Sequence, residues 1–129
     1  MDTRQTPEQA ELVRMVTRAS DAVMAAARPG VTFAELREVA WAAIPVERRR
    51  YLQTGLFFGH HIGLDVGDAS LGEVPLAPGM VFTIEPWYYD HDREVAVFIE
   101  DDVVVTEDGV RNLSAALPRT PEALERMLR

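Results

Sequence analysis

The stretch that decides the fold runs Gly59-His60-His61-Ile62-Gly63-Leu64-Asp65-Val66-Gly67-Asp68. It contains two of the three histidines of the chain, side by side. Ile62, Leu64 and Val66 alternate with polar or small residues, which is the pattern of a half-buried strand. We therefore predict a strand near residues 62–66, directly after the histidines.

Two glutamates further along the chain each end an apolar run. Glu85 follows the run 82–84, and Glu100 follows the run 97–99. Taken singly, a histidine in a strand is more often structural, and a glutamate at a strand end is usually solvated. A histidine and two carboxylates at strand ends are nevertheless the ligand types of a transition-metal site. The pattern therefore indicates a candidate metal site.

The composition fits one domain over residues 1–129, long enough to bury a core without covalent staples. Cysteine is absent, which excludes disulfides and thiolate ligands. No apolar stretch approaches the roughly 18–20 residues of a membrane span, and no apolar run follows a basic start. We expect a cytoplasmic protein with no membrane partner.

Acidic side chains dominate the charge. Thirteen basic residues stand against twenty-one acidic ones, for a formal net charge of −8. This balance argues against nucleic acid as a partner. The basic run at 48–50 is too short to change that expectation, and we interpret it as a solvated turn.

Two capped helices precede the strands. The segment 6–9 places a threonine at the N-cap, a proline at the first helical position and a glutamine three residues after the cap. An apolar stripe then predicts a helix to about Ala27. Thr32 and Glu35 form a second capping box, and Pro45 ends the helix that follows it.

From Tyr51 the composition changes to aromatic and β-branched residues, punctuated by glycine and proline. The predicted elements are strands near 53–58, 62–66, 80–85, 94–100 and 102–106, a loop over 71–79, a turn at 107–109, an extended piece around 111–113, and a third capped helix from 120 to the end of the chain. Residues 1–5 are expected to be frayed. Helices first and antiparallel strands second predict an α+β domain.

Three ordered segments resemble the signature segments of one superfamily. They are residues 59–66, Leu76-Ala-Pro-Gly-Met-Val-Phe-Thr-Ile-Glu-Pro86 and Ile99-Glu-Asp-Asp-Val-Val-Val-Thr106. Their order and approximate spacing are similar to those of the pita-bread metallopeptidases: aminopeptidase P, prolidase, methionine aminopeptidase and creatinase. The match is best with the aminopeptidase P (Xaa-Pro) branch and covers residues 8–128. It implies half of a pita-bread fold, with two N-terminal helices on a small, curved, mainly antiparallel sheet and a C-terminal helix.

The resemblance also implies a ligand set. In that superfamily the histidine of the first segment and the glutamates of the other two hold metal, which corresponds to His60, Glu85 and Glu100 here. The implied cofactor is a divalent transition metal (Mn, Fe, Co or Zn), with one ion per chain. Glu85 and Glu100 are also the candidate catalytic carboxylates, because either could shuttle a proton from metal-bound water.

Several positions depart from the superfamily pattern. Its two further aspartate ligands have no counterpart, because Asp2, Asp21 and the other early acids lie in a tail or in helices. A histidine that helps to bind substrate is replaced by Gly67, and a common arginine is replaced by Phe98. Trp87 stands where the superfamily usually has glycine. A dinuclear site within one chain is therefore not expected.

Two functions follow as alternatives. The first is a metal-dependent hydrolase acting on a small peptide or amide, its site completed in a homodimer by a second copy or, failing that, by another chain. The second is a non-catalytic half-domain that binds a peptide, a metal or a protein. Trp87 and Tyr88 are candidate substrate-binding residues in an aromatic wall, although aromatic residues there are also ordinary core or interface material. His61 is a further candidate, on the opposite strand face from His60.

Overall fold

The structure is a computed structural model, and it describes residues 4–52, 59–65 and 72–129. The strand predicted at 53–58 lies outside the described residues, and so do Val66, Gly67 and Asp68. Within the described ranges, every helix is too short or too polar to cross a lipid bilayer.

Both N-terminal helices form where their capping signals predict them. Helix α1 spans Pro7–Ala26 and helix α2 spans Phe33–Ala43. At each start the hydroxyl of the N-cap threonine accepts a hydrogen bond from the backbone amide three residues on, and the side-chain oxygen of that residue accepts one from the threonine amide. The two reciprocal bonds satisfy backbone donors that the first helical turn leaves unpaired.

In the described part of the chain, five strands follow and form two antiparallel sheets. The strands are β1 Val81–Ile84, β2 Trp87–Asp90, β3 Val95–Phe98, β4 Asp101–Val105 and β5 Val110–Asn112. One sheet has the order β1-β4-β5, and the other is the β2-β3 hairpin. A short helix α3, Pro121–Met127, follows the last strand. The α+β prediction is confirmed, with antiparallel strands and the expected C-terminal helix.

Three local predictions differ from the structure. Strand β2 was not predicted, and residues Val46–Tyr51 form a 3-10 helix where the basic run was interpreted as a solvated turn. The described residues 62–65 form no strand. At the start of this stretch the Ile62 amide donates to the Val81 carbonyl oxygen of β1 at 3.0 Å, whereas Leu64 is fully exposed. The apolar side chain of Leu64 is therefore not part of a buried face.

The core has two parts. The first joins α1 and α2 to the three-stranded sheet, and its buried members are Val23, Ala27, Phe33, Leu36, Ala40, Leu76, Phe82, Ile84, Val103 and Val105. The second joins the first half of α1 to the 3-10 helix and the hairpin, through Leu12, Val13, Met15, Val16, Ala19, Ile44, Tyr51, Leu52, Tyr88 and Val97. The sheets are thus anchored on the helices from one side.

A buried carboxylate fixes the start of β4. Asp101 is 1% exposed and accepts hydrogen bonds from Ser20 Oγ at 2.9 Å, Arg119 Nε at 2.8 Å and Asn112 Nδ2 at 2.9 Å. These donors come from α1, from the segment before α3 and from β5. Because Asp101 follows Glu100 directly, this network also fixes the backbone beside that glutamate.

The predicted fraying of residues 1–5 is only partly tested, because residues 1–3 lie outside the described ranges. The Gln5 amide donates to Glu125 Oε1 at 2.7 Å, so the described end of this segment is attached to α3.

Candidate metal centre

His60, Glu85 and Glu100 come together at one end of the sheets. Each offers a ligand atom, and the three atoms all lie within 4.8 Å of one another. No other set of at least three such side chains comes together in the part of the chain that the structure describes. His60 Nε2 is 3.1 Å from Glu85 Oε1. Glu85 is buried, His60 is partly buried and Glu100 is exposed. The cluster is therefore closed to solvent at Glu85 and has an open side at Glu100.

The orientation of His60 is set by its own backbone neighbourhood. Its Nδ1 lies 2.9 Å from the carbonyl oxygen of His61. Since a carbonyl only accepts, this contact favours a proton on Nδ1, which in a neutral ring leaves Nε2, the nitrogen nearest Glu85, with the lone pair that a metal ion requires. In metal-ligating histidines, the ring nitrogen that does not bind the metal typically donates a hydrogen bond to a carbonyl or carboxylate oxygen.

Thr83 links two members of the cluster. Its hydroxyl accepts a hydrogen bond from the His60 amide at 3.0 Å and donates to Glu85 Oε1 at 2.8 Å. The Thr83 amide donates in turn to the His60 carbonyl at 2.8 Å. Thr83 was not predicted as a site residue, although its position two before Glu85 on an extended run puts both side chains on one face.

Gly59 allows this approach. Its φ is +150°, and a Cβ there would lie 1.9 Å from the Thr83 carbonyl oxygen. Only a residue without a side chain lets the backbone before His60 lie this close to β1.

The electrostatics of the cluster favour a cation. Although Glu100 as a residue is exposed, desolvation of its carboxyl group and the nearby charges of Glu85 and Asp102 raise the pKa of that carboxyl, while His60 acts in the opposite direction. Two carboxylates that share a site repel each other, and a cation between them removes the repulsion. One imidazole and two carboxylates therefore fit a divalent ion.

The three predicted substrate-binding residues lie in different environments. Tyr88 is 1% exposed and belongs to the second core cluster, where its hydroxyl accepts from Arg48 Nη1 at 3.0 Å. The ring of His61 packs on Phe33, with centroids 4.5 Å apart. Trp87 is 36% exposed and lies beside the cluster. Strand alternation explains why Tyr88 points into the core and its neighbour does not.

Trp87 and Phe98 form a pair on the outer face of the hairpin. They are opposite each other in the β2-β3 register, and their rings meet edge to face with centroids 5.1 Å apart. With Tyr89 and Ala96 they line the exposed side of a groove of about 330 Å³. Both residues depart from the superfamily pattern in the sequence, but their contact is visible only in the structure.

The sequence of this chain matches a known protein family. The sequence profile of metallopeptidase family M24 matches residues 2–107. Xaa-Pro aminopeptidase 2 of Streptomyces coelicolor is 36% identical over 93% of this chain, which corresponds to 32% of the relative. Xaa-Pro aminopeptidase 1 of the same organism is 35% identical over 91% of this chain and 30% of its own length. The chain thus spans about a third of these relatives.

Solved structures agree with the sequence match. The zinc-substituted aminopeptidase P of Escherichia coli in complex with product has a TM-score of 0.85 and 26% identity, covering 98% of this chain and 36% of that one. The dipeptidase PepE of Mycobacterium ulcerans has a TM-score of 0.73 and 35% identity, covering 83% of this chain and 29% of that one. The predicted resemblance is therefore confirmed, and the chain belongs to metallopeptidase family M24.

Proposed function

We propose that this chain binds one divalent transition-metal ion through His60, Glu85 and Glu100, and that it serves as a metal-dependent hydrolase of the aminopeptidase P-like class acting on a small peptide or amide. The observation that carries the proposal is the convergence of the three ligand atoms within 4.8 Å. Family membership supports the same chemistry.

The donor set fits the proposed cofactor. One nitrogen and two oxygen ligands suit Mn, Fe, Co or Zn, and three protein ligands leave positions open for water or substrate. When bound, such an ion supplies Lewis acidity and lowers the pKa of its water. The protein's part is to hold the ligands in place, and the hydrogen bonds on His60 and Glu85 do so.

The two glutamates are suited to different roles. Both oxygens of Glu85 accept hydrogen bonds, from Thr83 Oγ1 and from Trp87 Nε1, so this carboxylate is held as a fixed ligand. Glu100 lies on the open side of the cluster. We assign to Glu100 the transfer of a proton from the attacking water to the leaving amine. The exposed ring of Trp87 is the wall against which an apolar part of the substrate packs.

A homodimer is part of the proposal. Tyr89, Ala96 and Phe98 give the outer face of the hairpin an uncharged surface. Two copies can meet through such a face without bringing like charges together, and two-fold pairing is the commonest way to cover one. Each copy would then bring its own His60, Glu85 and Glu100 to a shared cleft.

The dimer is tested by sedimentation velocity at micromolar concentration. We expect a dimer for the wild type and a monomer for Tyr89→Arg, because a buried unpaired charge opposes association. A monomeric wild type at that concentration contradicts the homodimer and leaves the metal site to be tested separately.

Metal binding is tested by elemental analysis of protein purified without chelator and by Co²⁺ titration. We expect one ion per chain in the wild type. Glu85→Ala and Glu100→Ala should each weaken Co²⁺ binding by more than about a hundredfold, since losing an outer partner of a ligand already costs tenfold to a hundredfold. Glu107→Ala removes an exposed glutamate at a turn away from the cluster and should bind like the wild type. A wild type without bound metal refutes the proposal.

Hydrolysis of Xaa-Pro dipeptides by the metal-loaded protein tests the peptidase function. The alternative is a half-domain that binds a metal, a peptide or a protein without catalysis. Two observations favour it: the described residues contain a single three-ligand group, and Phe98 stands in place of the superfamily's arginine. Metal binding without turnover of any such dipeptide would select this alternative.

Thr83→Val is expected to weaken Co²⁺ binding by about tenfold, because it removes the hydroxyl that holds Glu85 Oε1 and accepts from the His60 amide. Thr83→Ser keeps the hydroxyl and should restore most of the affinity. Titrations of both variants with Co²⁺ check this; equal affinities for the valine and serine variants would contradict it.

A further inference from the structure

Trp87 contacts the cluster directly although it is not one of the three candidate ligands. Its indole Nε1–H donates a hydrogen bond to Glu85 Oε2 at 3.0 Å. Glu85 is 4% exposed. A nearly buried carboxylate that accepts a directed N–H bond cannot rotate without breaking it.

The indole is itself held in place. Residues two apart on an extended chain project to the same side, which puts Trp87 beside Glu85. On its other side the ring packs edge to face on Phe98, its cross-strand partner, at a centroid distance of 5.1 Å and an interplanar angle of 86°. Aromatic cross-strand pairs of this kind stabilise a sheet surface. The donor is therefore fixed by packing.

The two oxygens of Glu85 have separate environments. Oε1 accepts from the Thr83 hydroxyl at 2.8 Å and lies 3.1 Å from His60 Nε2, so it faces the cluster. Oε2 is directed to the indole. One oxygen is available to an ion, and the other is held by Trp87.

We propose that Trp87 is a positioning residue of the metal centre: its N–H holds Oε2 so that Glu85 presents Oε1 alone to the ion. This inference rests on the proposed function, because it assigns a role toward the same ion. It predicts that losing the N–H, with the aromatic ring kept, lowers metal affinity by about tenfold to a hundredfold, the usual effect of removing an outer partner of a ligand.

The test compares Trp87→Phe with Trp41→Phe, the same chemical change at the other tryptophan of the chain. Both variants and the wild type are made metal-free and titrated with Co²⁺, and their urea unfolding midpoints are measured. We expect weaker Co²⁺ binding for Trp87→Phe by at least tenfold with a midpoint near that of the wild type. Trp41→Phe should bind Co²⁺ like the wild type.

An NMR titration gives a readout that would not change if Trp87 had only a structural role. In ¹⁵N-labelled wild type, the Trp87 indole N–H signal, assigned by its absence from Trp87→Phe, should shift on addition of Zn²⁺ and saturate with the metal, while the Trp41 signal stays in place. The inference is overturned if Trp87→Phe binds Co²⁺ with an affinity within threefold of the wild type, or if the Trp87 indole signal does not shift with Zn²⁺. Either result leaves the proposed function standing. A wild type that binds neither Co²⁺ nor Zn²⁺ overturns both.

Discussion

Asp101→Ala is expected to destabilise the fold by about 3–5 kcal/mol, the usual cost of removing one partner from a buried ion pair. The change leaves Arg119, whose side chain is 20% exposed, without its buried carboxylate, and it deprives Ser20 and Asn112 of an acceptor. These partners join three separate segments to β4, so their loss acts on the whole domain. Urea unfolding followed by circular dichroism measures the difference.

Asp21→Ala is the matched control, because it removes the other carboxylate bound by the same arginine. Asp21 lies 2.8 Å from Arg119 Nη2, but its side chain is 55% exposed. An exposed pair contributes about 1 kcal/mol or less, since water screens it. Similar losses for the two alanine variants would show that burial of Asp101 is not what gives this network its strength.

Gly59→Ala is expected to destabilise the fold by about 3 kcal/mol and to displace His60. Two costs add: a side chain at φ +150° is strained, and its Cβ would lie 1.9 Å from the Thr83 carbonyl oxygen, which forces the backbone apart. Unfolding in urea measures the loss of stability, and Co²⁺ titration measures the effect of displacing His60.

Gly30→Ala separates the two costs. Gly30 also has a positive φ, +90°, but nothing lies within 4 Å of the position that its Cβ would occupy. The stability lost in Gly30→Ala should therefore reflect backbone strain alone, about 1–2 kcal/mol, and the metal affinity should be unchanged. If both glycine variants lose the same stability and neither changes Co²⁺ binding, the close approach of Gly59 to β1 is not a constraint on the site.

Local signals predicted the helices and most of the strands well. The capping boxes at Thr6 and Thr32 act over three residues, so they are visible in the sequence. Strand β2 was missed because its four residues carry three aromatic side chains that also suit a ligand wall. The stretch after His61 was predicted as a strand from its alternation, but alternation along one segment does not specify which strand it pairs with, and the described residues 62–65 adopt no strand.

The sequence by itself determined the helices, most of the strands, the family and the three side chains proposed to bind metal. Only the tertiary structure decided what holds those side chains: the Thr83 hydroxyl between His60 and Glu85, and the Trp87 indole on Glu85 Oε2. It also decided that Tyr88 is core and that Trp87 and Phe98 meet. The physical reason is range. Capping and alternation depend on neighbours in the chain, whereas a hydrogen bond or ring contact depends on which strands pair and in which register.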